Sequence, residues 1–162
     1  MTRPFERATL FVALASIAIL GGAFGFQYIG GLKPCELCLA QRWPYVITIS
    51  AGLIGFGAAR VTMRNTARVM LAIAGLTFLV GAGIAVYHVG VEQKWWAGPA
   101  TCTGLSGVGG SVQDFLKRIE NTPVVRCDEI AWSLFGISMA GYNAILSVLL
   151  AIFCAVSLKG RK

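Results

Sequence analysis

Charge is what this sequence lacks over most of its length. Only 13% of its 162 residues are Asp, Glu, Lys or Arg; residues 8–30, 69–90 and 134–158 carry none of these, and 43–61 carries Arg60 alone. That excludes the one-sided apolar stripe of a soluble helix, whose outer face has to be polar. Histidine is almost missing as well, with His88 the single example. The chain also has no haem-attaching Cys-x-x-Cys-His, no glycine fingerprint for a dinucleotide, no phosphate-binding motif and no iron–sulfur spacing. Internal repeats and low-complexity tracts are absent too, which leaves one domain.

What remains is 56% hydrophobic. The four apolar runs, 8–30, 43–61, 69–90 and 134–158, are each about 19 to 25 residues long. At 1.5 Å per residue that length crosses about 30 Å of hydrocarbon. The expected fold class is therefore an all-α membrane protein, a four-transmembrane-helix bundle with outer loops 31–42 and 91–133. The first run exceeds the 7 to 15 apolar residues of a signal-peptide core, so it is read as the first helix.

Orientation follows from the basic residues. The N-terminus, the 62–68 turn with its flank and the C-terminus carry eight Lys or Arg against Glu6 alone, and the other side carries six basic and six acidic residues. The whole net charge of +7 thus falls on one side. By the positive-inside rule that side is cytoplasmic, with both termini inside. The basic balance is a topology signal, and no nucleic-acid partner is expected.

On this topology four of the five cysteines, Cys35, Cys38, Cys102 and Cys127, fall in the outer loops. On an oxidising side thiols form disulfides, whereas in cytosol the same residues would suggest zinc. Three accounts compete. Structural staples would join loops that helix packing already holds together. A four-cysteine zinc site needs a second close pair, but Cys102 and Cys127 lie 25 positions apart, so no metal is expected. A redox relay uses both features: two dithiol couples on one face, one of them a Cys-x-x-Cys whose geometry lowers a thiol's pKa and keeps the bond exchangeable.

The sequence "PCELC" followed by "LAQR" after the first helix, "YH" at the end of the third, and "TCTG" with "RCDEIAW" in the second outer loop resemble the DsbB family. The likeness covers essentially the whole chain. It implies a bacterial inner-membrane protein that re-oxidises a periplasmic thioredoxin-like thiol oxidase of the DsbA type and passes the electrons to membrane quinone, ubiquinone or menaquinone. The related vitamin K epoxide reductase family is similar in chemistry but places its Cys-x-x-Cys at the start of its last helix. The alternatives are a non-enzymatic four-helix membrane protein with two structural disulfides, or a quinone reductase resembling that second family.

The resemblance also assigns roles. The reduced partner attacks a Cys102/Cys127 disulfide and forms a mixed disulfide at Cys102. Cys127 then attacks Cys35 of a Cys35/Cys38 bridge, and Cys38 faces the quinone. Arg42 matches the family's quinone-site arginine, and a helical spacing of four would bring it onto the face of Cys38. Pro44, which belongs in a first helical turn or at a kink, bears on where that helix starts. His88 of "YH" is a candidate donor to a quinone carbonyl.

Other residues have structural readings. In "SVQDFLKRIENTP", residues 111–123, Val112, Phe115, Leu116 and Ile119 recur at helical spacing, predicting a short amphipathic helix at the membrane surface ended by Pro123. The glycines of residues 103–111 suggest a flexible strap. Trp95, Trp96 and Trp132 are expected to anchor at the interface, Cys154 to act as a small apolar residue, and Gly21, Gly25, Gly52, Gly81 and Gly141 to allow close helix packing.

The charge split predicts that a reporter fused after Lys162 is active only in the cytoplasm and one inserted near Gly109 only outside. The reverse pattern in fusion assays would overturn the orientation and the oxidising-side chemistry built on it.

Overall fold

The computed structural model describes residues 3–99, 102 and 125–159. Helix α1 runs Arg3–Tyr28, a short α2 spans Glu36–Ala40, α3 spans Arg42–Arg60, α4 spans Arg64–Glu92 and α5 spans Met139–Lys159. Between α4 and α5 lies a hairpin of β1 (Ser133–Leu134) and β2 (Ile137–Ser138). By length and composition, α1 over Pro4–Tyr28, α4 and α5 are long and apolar enough to cross a membrane. Helix α3 has 19 residues and an arginine at each end.

The helix ends have local causes. The chain leaves α1 through Gly31, whose φ of 68° is one that side chains resist. There Leu32 N–H bonds back to the Phe26 carbonyl at 3.1 Å, folding the chain over the end of α1. Pro44 stands third in α3, where a missing N–H leaves no intrahelical bond unmade. The last apolar run starts its helix at Met139, not at 134. Phe135 and Gly136 both have positive φ, 51° and 78°, which no helix accommodates but which a two-residue hairpin turn requires. That turn pairs Ser133 with Ser138 and Leu134 with Ile137. The amphipathic helix and the glycine strap of the second outer loop lie outside the described residues.

Helix α1 packs on α3, α3 on α4 and α4 on α5, whereas α1 and α5 touch only slightly and leave a gap. Small residues make the close approaches: Ala8, Ala51, Ala58, Ala59, Ala67, Ala74 and Ala151 share the main core with Phe5, Leu71, Phe78 and Cys154. Cys154 is fully buried there, as a small apolar residue. At Gly52 an added Cβ would stand 2.9 Å from both the Thr9 carbonyl oxygen and the Ala13 nitrogen. By contrast, Gly21 and Gly25 meet nothing within 4 Å, contrary to the packing role expected of them. Trp96 stacks on Tyr87 with ring centres 6.0 Å apart and donates to the Tyr87 carbonyl at 3.0 Å.

Gly52→Leu therefore has to part α1 from α3. Overpacking of this kind costs about 1–3 kcal/mol. Thermal unfolding in detergent is expected to show a clear loss of stability for Gly52→Leu and almost none for Gly21→Ala; equal midpoints would remove Gly52 from the helix contact.

Candidate active site

Because the long helices alternate in direction, the end of α1, the start of α3, the end of α4 and the start of α5 meet at one end of the bundle, with α2 against α3 and α4. Cys35, Cys102 and Cys127 join there in one buried cluster with Leu37 and Val91, and the half-buried Cys38 packs against it. Cys102 and Cys127 form a disulfide with Cα atoms 5.3 Å apart. Cys35 and Cys38 are thiols, their sulfurs 2.8 Å apart with Cys35 donating. Cys35 also caps α2, its sulfur accepting from the Cys38 N–H at 3.3 Å.

The two thiols are electrically unequal. The hydrogen bond from Cys35 is the largest influence on Cys38 and outweighs burial, bringing its pKa from the ordinary 9.0 down to about 7. Among the nearby charges, that of Glu92 opposes this shift, and that of Arg42 helps in a still smaller way. Cys35 moves far upward, first because it donates to Cys38 and then because it is buried. Near neutral pH, Cys38 is the half-ionised sulfur and Cys35 the thiol.

His88 is 3% exposed, and both of its ring nitrogens are engaged. Nε2 lies 3.6 Å from the Cys35 sulfur and 4.0 Å from Glu92 Oε1. Nδ1 lies 2.7 Å from the side-chain amide nitrogen of Gln41. A chain of hydrogen bonds continues through the helices: Asn143 donates to Gln41, Tyr45 donates to Asn143, and the Tyr45 and Ser147 hydroxyls lie 3.0 Å apart. On the other side Ser138 donates to Glu92 at 2.5 Å. Arg42 donates to Gln27 Oε1 at 2.7 Å and lies 4.9 Å from the centre of the Phe24 ring.

The gap between α1 and α5 is a cavity of about 360 Å³. Its walls include Ile19, Leu20, Ala23 and Phe26 of α1 and Ala140 and Leu146 of α5, and Cys38, Gln41, Arg42, His88 and Glu92 gather at its polar end. Trp132 borders it and packs on Phe26 at 5.0 Å, so this expected anchor is also a wall. An apolar slot with a few converging polar groups suits a flat ligand with an apolar body and carbonyl oxygens. A second cavity, of about 470 Å³, borders Cys102 together with Val91, Lys94, Trp95, Trp96 and Asp128.

The structure thus brings Cys35, Cys38, Arg42 and His88 to one cavity, with Cys102 and Cys127 in the adjoining cluster. Cys38 and Arg42 do not share one helix as the spacing suggested. Gln41 separates α2 from α3 but keeps helical angles, φ −67° and ψ −14°, so both side chains still reach the cavity. Sequence reading assigned nothing to Gln41, Tyr45, Glu92 or Asn143. A signal existed for two of them: Glu92 is four residues beyond His88 on one helix, and Asn143 is an amide within an uncharged apolar run, where a polar side chain needs a partner.

Fold and site define a helical membrane protein with paired redox cysteines. The family model for Disulfide bond formation protein DsbB matches residues 5–157, and the chain belongs to that family. It is similar to Disulfide bond formation protein B of Burkholderia pseudomallei (strain 1106a), 31% identical over 158 residues covering 94% of this chain and 89% of the relative. It is likewise similar to Disulfide bond formation protein B of Hahella chejuensis, 28% identical over 150 residues and 86% of each chain. An uncharacterized protein of Rickettsia prowazekii is 28% identical over 156 residues, 95% of this chain and 88% of its own. No solved structure matches the chain. Family and names support a disulfide-forming oxidoreductase.

With Cys102–Cys127 closed, alkylation of Cys38 is expected to be half-maximal near pH 7, falling about tenfold per pH unit well below that, while Cys35 stays unmodified. Mass mapping of iodoacetamide adducts against pH checks this, and a midpoint at the ordinary thiol value would overturn the pairing of the two sulfurs.

Proposed function

We propose that this protein is a thiol:quinone oxidoreductase of the bacterial inner membrane, with four spans, both termini cytoplasmic and the redox cysteines periplasmic. It re-oxidises a thioredoxin-like, DsbA-type dithiol oxidase and so sustains disulfide formation outside the membrane. The observation that carries this reading is the placement of a disulfide and a dithiol in one buried cluster, with the dithiol bordering an apolar cavity.

In the relay, a thiolate of the reduced partner attacks Cys102 and releases Cys127 as a thiolate. Cys102 borders the second cavity, but its 2% exposure means that surrounding chain has to move before a partner's sulfur arrives. The partner's second thiol resolves the mixed disulfide and leaves as its disulfide. Cys127 next attacks Cys35 when Cys35 and Cys38 are bridged, and Cys38 departs. This order is favoured because a thiol of lower pKa is the better leaving group, and Cys38 is the lower of its pair. Cys102 then closes on Cys127, regenerating their disulfide and leaving both electrons on Cys35 and Cys38. That is the redox distribution of the present structure.

A quinone bound in the cavity supplies an acceptor for two electrons and two protons. For its part the chain holds Cys38, whose thiol ionises near pH 7, at the cavity's polar end, presents the fixed cation of Arg42, and positions His88 through Gln41.

The test mixes purified protein with a reduced thioredoxin-like oxidase and a soluble ubiquinone analogue. Unaltered protein is expected to consume the quinone. Cys38→Ser should stop consumption while still trapping the partner as a mixed disulfide, and Cys102→Ser should abolish trapping. Full quinone turnover by Cys38→Ser would make the relay order wrong.

A further inference from the structure

We propose that Cys35, Cys38, His88 and Glu92 together form a binding site for one thiophilic divalent cation, zinc being the natural candidate, and that this site exists only while the two cysteines are reduced. The Cys35 and Cys38 sulfurs and a ring nitrogen of His88 lie within 4.8 Å of one another. Glu92 Oε1 is 4.0 Å from His88 Nε2, and both side chains are about 95% buried, at 4% and 5% exposure. Two soft thiolates, an imidazole and a carboxylate suit a d10 ion with no geometric demand beyond a tetrahedron. In such a tetrahedron, with bonds of about 2.0 to 2.3 Å, ligand atoms stand roughly 3.3 to 3.8 Å apart. The 3.6 Å from Cys35 to His88 is already there, and the 4.0 Å from His88 to Glu92 is close to it. The two sulfurs, at 2.8 Å, have to separate, and the Glu92 carboxylate, which stands beside His88 but outside the group of three atoms within 4.8 Å of one another, has to swing toward them; Cys38, the less buried, lines the cavity and has room to turn.

The surroundings suit the ion as well. A ligating histidine is oriented by a partner on its other nitrogen, and Gln41 stands 2.7 Å from Nδ1. Ligation through Nε2 puts the proton on Nδ1, so Gln41 has to accept there. Asn143, Tyr45 and Ser147 each carry both a donor and an acceptor, which lets the whole chain behind Gln41 reverse direction without losing a bond. Two thiolates, a carboxylate and a divalent ion sum to one negative charge, and Arg42 lines the same cavity to balance it. Residue spacing pointed away from zinc because it considered the four cysteines together; the folded ligand set takes only one pair and completes it from α4.

Binding exchanges two thiol protons for the metal and transfers no electrons. A disulfide has no thiolate to offer, so closing Cys35–Cys38 ejects the ion, and a bound ion blocks closure. The regulatory consequence, reversible arrest of the relay, rests on the proposed function; the binding itself does not.

The experiment titrates cobalt(II), then zinc, into full-length protein in detergent, using Cys102→Ser/Cys127→Ser so that Cys35 and Cys38 are the only outer thiols. The reduced form is expected to bind one cobalt per chain with thiolate charge-transfer and tetrahedral ligand-field bands, which zinc displaces. The same preparation with Cys35–Cys38 oxidised should show no bands. His88→Ala and Glu92→Gln should each weaken binding about 10- to 100-fold. No bands in the reduced form, equal bands in both redox forms, or unchanged affinity in both variants would overturn the site. The titration uses neither quinone nor partner, so it is decided separately from the proposed function. In the turnover assay with unaltered protein, zinc should arrest quinone consumption and a chelator restore it; a protein without turnover even in the absence of zinc would sink the proposed function and leave the titration standing.

Discussion

His88 sits at 3% exposure at the end of a long apolar helix, and this end of the bundle is organised by the need to satisfy its two ring nitrogens away from water. An unpaired polar group in such surroundings costs several kcal/mol, about what a whole domain has in reserve. One nitrogen takes Gln41, which needs Asn143, which needs Tyr45, which takes Ser147. Following that requirement from group to group ties the starts of α3 and α5 to the end of α4. The second nitrogen is left facing Cys35 and Glu92. The polar chain is therefore both an interhelical tie and the mount for the site.

The same end of the fold makes two chemically identical cysteines unequal. Cys35 is buried at 5% exposure and donates its proton's hydrogen bond; Cys38 receives it beside the cavity and an arginine. A dithiol with one ionised member is an exchangeable couple, while a pair of equally buried thiols would be inert. The disulfide Cys102–Cys127 packs in the same cluster, so both pairs lie within one group of sulfurs. The gap between α1 and α5 completes the arrangement by placing an apolar slot next to Cys38.

Much of this was legible along the chain. Uncharged runs of spanning length mark the helices; the Cys-x-x-Cys with its following arginine, the "YH" and the paired loop cysteines mark the family, and the match over residues 5–157 places the chain in it. Single-residue effects bounded what could be read. Phe135 and Gly136 turn the chain back in a hairpin inside an apolar run that reads as helix from end to end. Gln41 separates two helices where a spacing of four suggests one. In both cases hydrophobicity is blind to backbone angle.

The sequence by itself determined where the long uncharged runs lie, how charge is distributed along the chain, and where the paired cysteines stand, because these depend on composition and spacing within one segment. Only the tertiary structure decided that Gln41, His88 and Asn143, as much as 102 positions apart, form one hydrogen-bonded chain, and that Glu92 stands beside His88 at the dithiol. It also decided which of two neighbouring thiols ionises first. The physical reason is that these properties arise from how helices are rotated and stacked, and helices with apolar surfaces almost all round pack by the fit of small residues and the pairing of buried polar groups, neither of which is written in any one segment.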